Sequence, residues 1–165
     1  MCVSQYERKL FSAAFSVAYH GLLRVGEIAF NVIHSHHVIA ISNVSVSGNS
    51  LLNISILSSK TDQIGMGTLI SLQPQINKDV CPCNLMHSFL TDRPLIPGPV
   101  FCHCDGRLLT RYQFVSVLKK ALERVGVKHK YSFRIGYATS LSILGLSDDV
   151  ILKLGRCISD AFKRT

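Results

Sequence analysis

Three cationic side chains that suit phosphate stand far apart in this 165-residue chain. Arg24 lies within Gly21-Leu22-Leu23-Arg24-Val25-Gly26-Glu27-Ile28, and Arg134 within Tyr131-Ser132-Phe133-Arg134-Ile135-Gly136-Tyr137-Ala138-Thr139. Between them Lys60 sits in the polar run Ser59-Lys60-Thr61-Asp62-Gln63. A guanidinium is a planar, permanently charged fork that engages two phosphate oxygens at once. Breaking a phosphodiester without metal or ATP calls for such donors, for a nucleophile, and for a proton delivered to the leaving oxygen. The arginines suit the first task and a lysine on a turn suits the last. Taken singly, each has an ordinary reading. Arg24 and Glu27 fit a surface ion pair of small energetic weight, and Ser-Lys-Thr-Asp is common loop chemistry. Arg134 is more pointed, because Phe133, Ile135 and Ala138 surround it with apolar surface and a half-buried guanidinium needs an anion.

The elements that position these residues follow from periodicity. Tyr6, Leu10, Ala14 and Ala18, with Phe11 and Phe15, form one helical stripe that ends near Gly21 and leaves Arg24 on the turn beyond. From Val38 to Val46, Leu51 to Leu57 and Thr68 to Leu72 the pattern is β, with turns at Ser47-Gly48-Asn49-Ser50 and at 59–63. That predicts an antiparallel meander with Lys60 at the tip between its second and third strands. The proline-broken middle leaves room for a short helix from Asn84 to Leu90. Thr110-Arg111-Tyr112-Gln113 is a capping box. It opens a helix predicted to turn Phe114, Leu118, Ala121, Leu122 and Val125 inward and Lys119, Lys120, Glu123 and Arg124 outward, with a stop at Gly126. Helices from Arg134 to Leu144, from Ser147 to Lys153, and from Ser159 complete the chain. The expected fold is α+β: one mostly helical domain with a small three-stranded antiparallel sheet in its N-terminal third.

Composition bounds the partners. Residues 107–165 carry 12 Lys and Arg against 4 Asp and Glu, whereas residues 1–106 carry 6 of each, so the net charge of +8 resides in the last third. A basic face favours a polyanion through counterion release, although it also fits a merely solvated surface. No run reaches the length of a membrane span, and the polar N-terminus does not read as a secretion signal. Neither membrane association nor secretion is expected. The six cysteines then read as thiols of a reducing compartment. Cys81-Pro82-Cys83 and Cys102-His103-Cys104 suggest zinc only weakly. Their C-x-C spacing is tighter than usual, and on a strand the two thiols point to opposite faces. No metal is expected, and buried thiols are the preferred reading.

The two arginine boxes, with the lysine turn between them in that order, resemble the tyrosine recombinase (phage integrase) catalytic domain over nearly the whole chain, Tyr6 to Arg164. The stretch Ser132 to Phe162 is most similar to recombinases from mobile elements of animal genomes. The resemblance implies a domain spanning residues 1–165, without the family's preceding core-binding domain and without its C-terminal end. It implies DNA breakage and rejoining through a phosphotyrosine intermediate, in DNA integration and recombination. Arg24, Lys60, Arg134 and Arg156 are implied for phosphate stabilisation and proton donation, with Glu27 supporting Arg24. Double-stranded DNA is the implied partner, self-assembly into a recombinase-type oligomer is implied with it, and no cofactor is expected. The implied location is nuclear in a eukaryote and otherwise cytoplasmic.

Three positions depart from the family pattern. Tyr131 stands where a histidine is usual, and a phenol is a poor general base at neutral pH. Arg156-Cys157 stands at the usual Gly-His or Gly-x-Trp site. The place of the tyrosine nucleophile falls on or next to Thr165, whose alkoxide is a far stronger base than a phenolate and needs an activating group. The chain as it stands is therefore expected to bind DNA without cleaving it, either as a piece cut short of its tyrosine or as a degenerate copy. The alternative is a non-catalytic DNA-binding or interaction domain derived from such a recombinase.

Overall fold

Ser4 opens the first helix by accepting the backbone N–H of Glu7 at 3.1 Å, satisfying one of the donors that a helix start leaves over. A computed structural model describes residues 4–31, 37–47, 51–57, 67–126 and 133–155. In it α1 (Gln5–His20) is the central element, with Leu10, Phe11, Ala13, Ala14, Val17 and Ala18 all buried. Its small residues let two other helices approach closely, α3 (Pro82–Asp92) and α5 (Phe133–Ile143). Between α1 and α3 lie α2 (Val25–Ile28), a 3-10 turn (Ile41–Asn43) and strands β1 (Val44–Val46), β2 (Leu52–Ile56) and β3 (Thr68–Leu72). After α3 come α4 (Arg111–Arg124), then α5, then α6 (Asp148–Gly155).

The sheet is antiparallel in the order β1-β2-β3, with Leu52 opposite Leu72 and Ile54 opposite Ile70. Leu52, Ile54 and Ile56 alternate into the core, as a half-buried strand requires. This is the α+β architecture expected, with the sheet placed as expected. The first strand is shorter than predicted, starting at Val44 and not at Val38. Instead of joining the sheet, residues 39–41 pair with the 98–100 loop, through Val100 N–H to Ile39 O and Ile41 N–H to Gly98 O, both at 2.9 Å.

Helix α3 begins two residues earlier than expected, because Pro82 supplies a preset φ at its first position. The capping box of α4 forms as predicted. Thr110 N–H donates to Gln113 Oε1 at 2.9 Å and Gln113 N–H donates to Thr110 Oγ1 at 3.2 Å. Its burial is narrower than the periodicity implied. Phe114 is buried and Leu118 half-buried, but Ala121 is exposed and Val125 is 73% exposed, since the helix runs past the core.

One buried cation went unforeseen. Arg93, 7% exposed, ends α3 by donating to the carbonyls of Val100, Pro94, Ile96 and Pro99 at 2.7–3.0 Å. The guanidinium thus gathers the 94–100 loop around itself. The tip that carries Lys60 and the helix predicted from Ser159 lie outside the described residues.

Candidate functional site

Arg24 is placed by the way α1 ends. Gly21 is required there, because a Cβ would come within 2.8 Å of Val17 O. Leu22, and not a glycine, then takes the left-handed conformation at φ 50°. Leu23 N–H reaches Ala18 O at 3.0 Å and Leu22 N–H reaches Tyr19 O at 3.2 Å, the paired bonds of a Schellman ending. A left-handed leucine costs about 1–2 kcal/mol. Its side chain offsets this by burying itself among Ala138, Leu141 and Ile151 of α5 and α6. Strain of this kind persists only where surrounding packing imposes it.

One turn further on, Arg24 caps α2. Its backbone N–H donates to Glu27 Oε2 at 2.8 Å, and Arg24 Nη1 stands 3.6 Å from Glu27 Oε1. Glu27 is 2% exposed, so this is no surface pair. The arginine side chain remains about one-quarter exposed. The backbone that follows is tied down as well, through Ile39 N–H to Glu27 O (2.9 Å) and Phe30 N–H to Leu109 O (2.8 Å). The result is a cation held beside a buried carboxylate and still reachable from solvent, which suits an incoming anion.

Helix α5, which carries Arg134 in its first turn, runs alongside the C-terminal half of α1. Phe133 stacks on Phe15 with centroids 5.6 Å apart and also meets Phe114 of α4 at 5.7 Å. Tyr137 meets Tyr19 at 4.8 Å, and the Tyr19 hydroxyl shares a 2.9 Å hydrogen bond with Ser140 Oγ. Burial, and then the neighbouring Tyr19, raise the Tyr137 phenol above the ordinary tyrosine range. It stays a neutral packing group. These contacts fix where α5 starts, and therefore where Arg134 leaves the backbone. Beside them opens a cleft of about 430 Å³ whose walls include His20, Leu22, Gln73, Gln75, Tyr137 and Lys153.

Of the site residues read from the sequence, Arg24 and Glu27 are brought together as expected. Arg134 lies on α5, with its side chain outside what is described. Lys60, Tyr131, Arg156, Cys157 and Thr165 also lie outside the described residues. Tyr19, Leu22 and Ser140, which lock the first box against α5, had no signal of their own beyond apolar or small-residue character.

The cysteine motifs resolve differently from the strand argument. Cys81 and Cys83 occupy the start of α3 and not a strand; Cys81 Sγ accepts the Gln75 N–H at 3.2 Å, and the Cys83 thiol donates to Leu72 O at 3.3 Å. His103 Nδ1 lies 2.7 Å from Glu7 Oε1 and its Nε2 3.2 Å from Gln113 Oε1, so the ring joins α1 to the cap of α4. Cys102 is buried and Cys104 exposed, the latter against expectation. Among the described residues no three His, Cys, Asp or Glu side chains are grouped to hold a metal ion.

The fold is that of the site-specific recombinases. XerH site-specific recombinase, in its pre-cleavage complex with difH substrate, superposes with a TM-score of 0.70 over 96% of this chain at 15% identity. Its post-cleavage complex with palindromic difH substrate gives 0.68 at 13% identity, and XerA recombinase gives 0.63 at 17% identity. This chain spans 42% of the XerH chain and 55% of the XerA chain. No family model and no curated protein matches the sequence. No helix among the described residues is long and apolar enough to cross a membrane.

Proposed function

We propose that residues 1–165 form the catalytic portion of a tyrosine-recombinase-type protein, and that this portion grips duplex DNA at the phosphate backbone. The observation that carries the reading is Arg24, braced by the buried Glu27 and reachable from solvent, on a fold shared with XerH and XerA. The basic excess of residues 107–165 adds the long-range attraction. In the proposed mechanism Arg24, Arg134 and Arg156 share the charge of one phosphate, and Lys60 hands a proton to the leaving oxygen. Tyr131 donates a hydrogen bond where a histidine would serve as base. Thr165 stands at or beside the position at which that mechanism places its nucleophile. Kinship with mobile-element recombinases and self-assembly on two duplexes belong to the same proposal.

A second reading, a binding domain that has abandoned the chemistry, is favoured by Tyr131 at the usual histidine position and is separable by experiment. Fluorescence anisotropy on a labelled duplex across a salt series tests the shared part. Arg24→Ala and Arg134→Ala should each weaken binding to every sequence and flatten the log–log salt slope by about 0.9 for each phosphate no longer neutralised. Unchanged affinity and slope in both would remove the phosphate site. Thr165→Tyr on a nicked suicide duplex then separates the readings. A covalent 3′-linked adduct supports retained chemistry, and its absence in a folded variant supports the binding domain.

A further inference from the structure

The sheet ends on a strand with an open edge. In the order β1-β2-β3, strand β3 has a neighbour on one side only. Its pairing with β2 runs one residue against one from Thr68 to Leu72, so no bulge turns the free edge aside. Thr68-Leu69-Ile70-Ser71-Leu72 also holds no lysine, no proline and no charge of either sign. Bulges, prolines and charges are among the devices that keep an edge strand from pairing with another chain. Leu69 is 65% exposed and Ile70 half-buried, so the strand turns apolar surface toward solvent as well. Among the described residues, one hydrogen bond reaches the backbone of β3 from outside the sheet, the Cys83 thiol on Leu72 O at the strand end.

That edge borders the 430 Å³ cleft, whose lining takes in every residue from 68 to 73. Successive strand residues point to opposite faces, so a cavity touched by all of them lies along the edge. Much of the remaining wall comes from the end of α1 and from α5 and α6, through His20, Leu22, Tyr137, Leu141 and Lys153. These helices stand where a second sheet would have to continue. The space therefore suits one extended chain, laid about 4.8 Å from β3 as neighbouring strands are. No Asp or Glu is among the described residues of the wall. Lys153 makes no ion pair, and the Tyr137 hydroxyl no hydrogen bond, among the described residues. An occupant bearing a carboxylate complements such a wall.

We propose that the cleft takes a short extended segment of a partner protein as a fourth strand on β3, with alternate apolar side chains against Leu22 and Leu141 and a carboxylate on Lys153. Main-chain hydrogen bonds to the free edge supply the affinity, and the side-chain contacts supply the choice of sequence. Strand β3 spans about 17 Å at the usual rise, so about five partner residues are engaged. The interaction stands apart from the DNA reading, since neither Arg24 nor a phosphate takes part in it.

The test uses the full chain and a fluorescein-labelled peptide, Glu-Val-Thr-Val-Glu-Val, followed by anisotropy at physiological salt. Two further peptides serve as comparisons, one with lysine for both glutamates and one with proline for the second and third valines. The acidic peptide should bind about tenfold more tightly than the basic one, and Lys153→Glu should reverse that order. Lys120→Glu, on α4 and outside the cleft wall, should leave both affinities unchanged. The proline peptide should not bind, because it lacks the N–H groups a ladder needs. With the acidic peptide at saturation, every second amide of residues 68–72 should exchange hydrogen about tenfold more slowly, the alternation that pairing along one edge produces. No binding of the acidic peptide, equal binding of all three, an equal effect of Lys120→Glu and Lys153→Glu, or protection absent from β3 would overturn the proposal. So would self-association of the chain that the peptide reverses in sedimentation, since the occupant would then be a second copy. Should Lys153→Glu fail to fold, the three peptides and the exchange pattern on the unaltered chain decide.

Discussion

Replacing Glu27 by alanine removes a carboxylate that is 2% exposed and serves two partners, the Arg24 backbone N–H at 2.8 Å and its guanidinium at 3.6 Å. A hydrogen bond to a charged group contributes about 1.5–3 kcal/mol, and removing one member of a buried pair costs about 3–5 kcal/mol. Arg24 stays about one-quarter exposed, so water takes over part of the lost interaction. The expected loss is therefore near the lower end, about 3 kcal/mol, a large share of a domain stability of about 5–15 kcal/mol. Glu27→Gln keeps the shape and an acceptor for the N–H, so about 1 kcal/mol is expected. Urea unfolding followed by circular dichroism measures both, as midpoint shifts at constant slope. The conservative variant also takes away the negative charge beside Arg24, so duplex affinity at low salt should rise and the salt slope steepen by up to about 0.9. A loss below about 0.5 kcal/mol for Glu27→Ala, the range of an ordinary surface change, would refute the buried-brace account.

Arg93→Lys should destabilise by about 2–4 kcal/mol, because an ammonium cannot serve four carbonyls spread over Pro94 to Val100; a thermal melt reads this. Leu22→Gly sets two effects against each other. Relief of the left-handed backbone is worth about 1–2 kcal/mol, but the lost burial and the cavity cost about 3–5 kcal/mol, so net destabilisation is expected in a urea titration. Tyr19→Phe removes the bond to Ser140 and should cost about 1 kcal/mol, with faster hydrogen exchange in α5 than in α3. Asp105 is held below the usual carboxylate range first by the backbone N–H of Arg107 and then by its side chain, and Arg107→Ala removes only the second of these. A depressed folded-state pKa contributes stability above the unfolded value that is lost as pH falls, so this variant should lose slightly less on acidification than the unaltered protein, the backbone N–H still holding part of the shift.

How much was legible from the chain depended on whether the signal was local. Strands β2 and β3 and the α4 cap are where alternation and Thr110–Gln113 put them, because these patterns act within a few residues. Residues 38–43 read as strand but join the 98–100 loop, a pairing nearly 60 positions away that no window contains. The Arg24–Glu27 spacing announced a contact, but its burial comes from Ile39 and from the start of α4. Arg93 looked like any other surface arginine, since its partners are backbone carbonyls of no particular sequence. The strand premise for Cys81-Pro82-Cys83 failed because proline starts a helix there. Lys60, Tyr131, Arg156, Cys157 and Thr165 rest on the family resemblance.

The left-handed leucine at the end of α1 makes Arg24 answerable to α5 and α6. Leu22 can tolerate its backbone only while Ala138, Leu141 and Ile151 receive its side chain. Were α5 and α6 to lift away, the turn would be free to relax into a commoner conformation, and Arg24, two residues on, would swing with it. Docking of α5 and α6 and arming of the Arg24 guanidinium are thus a single cooperative event, so a partner that pulled on α6 would disarm a residue more than a hundred positions distant.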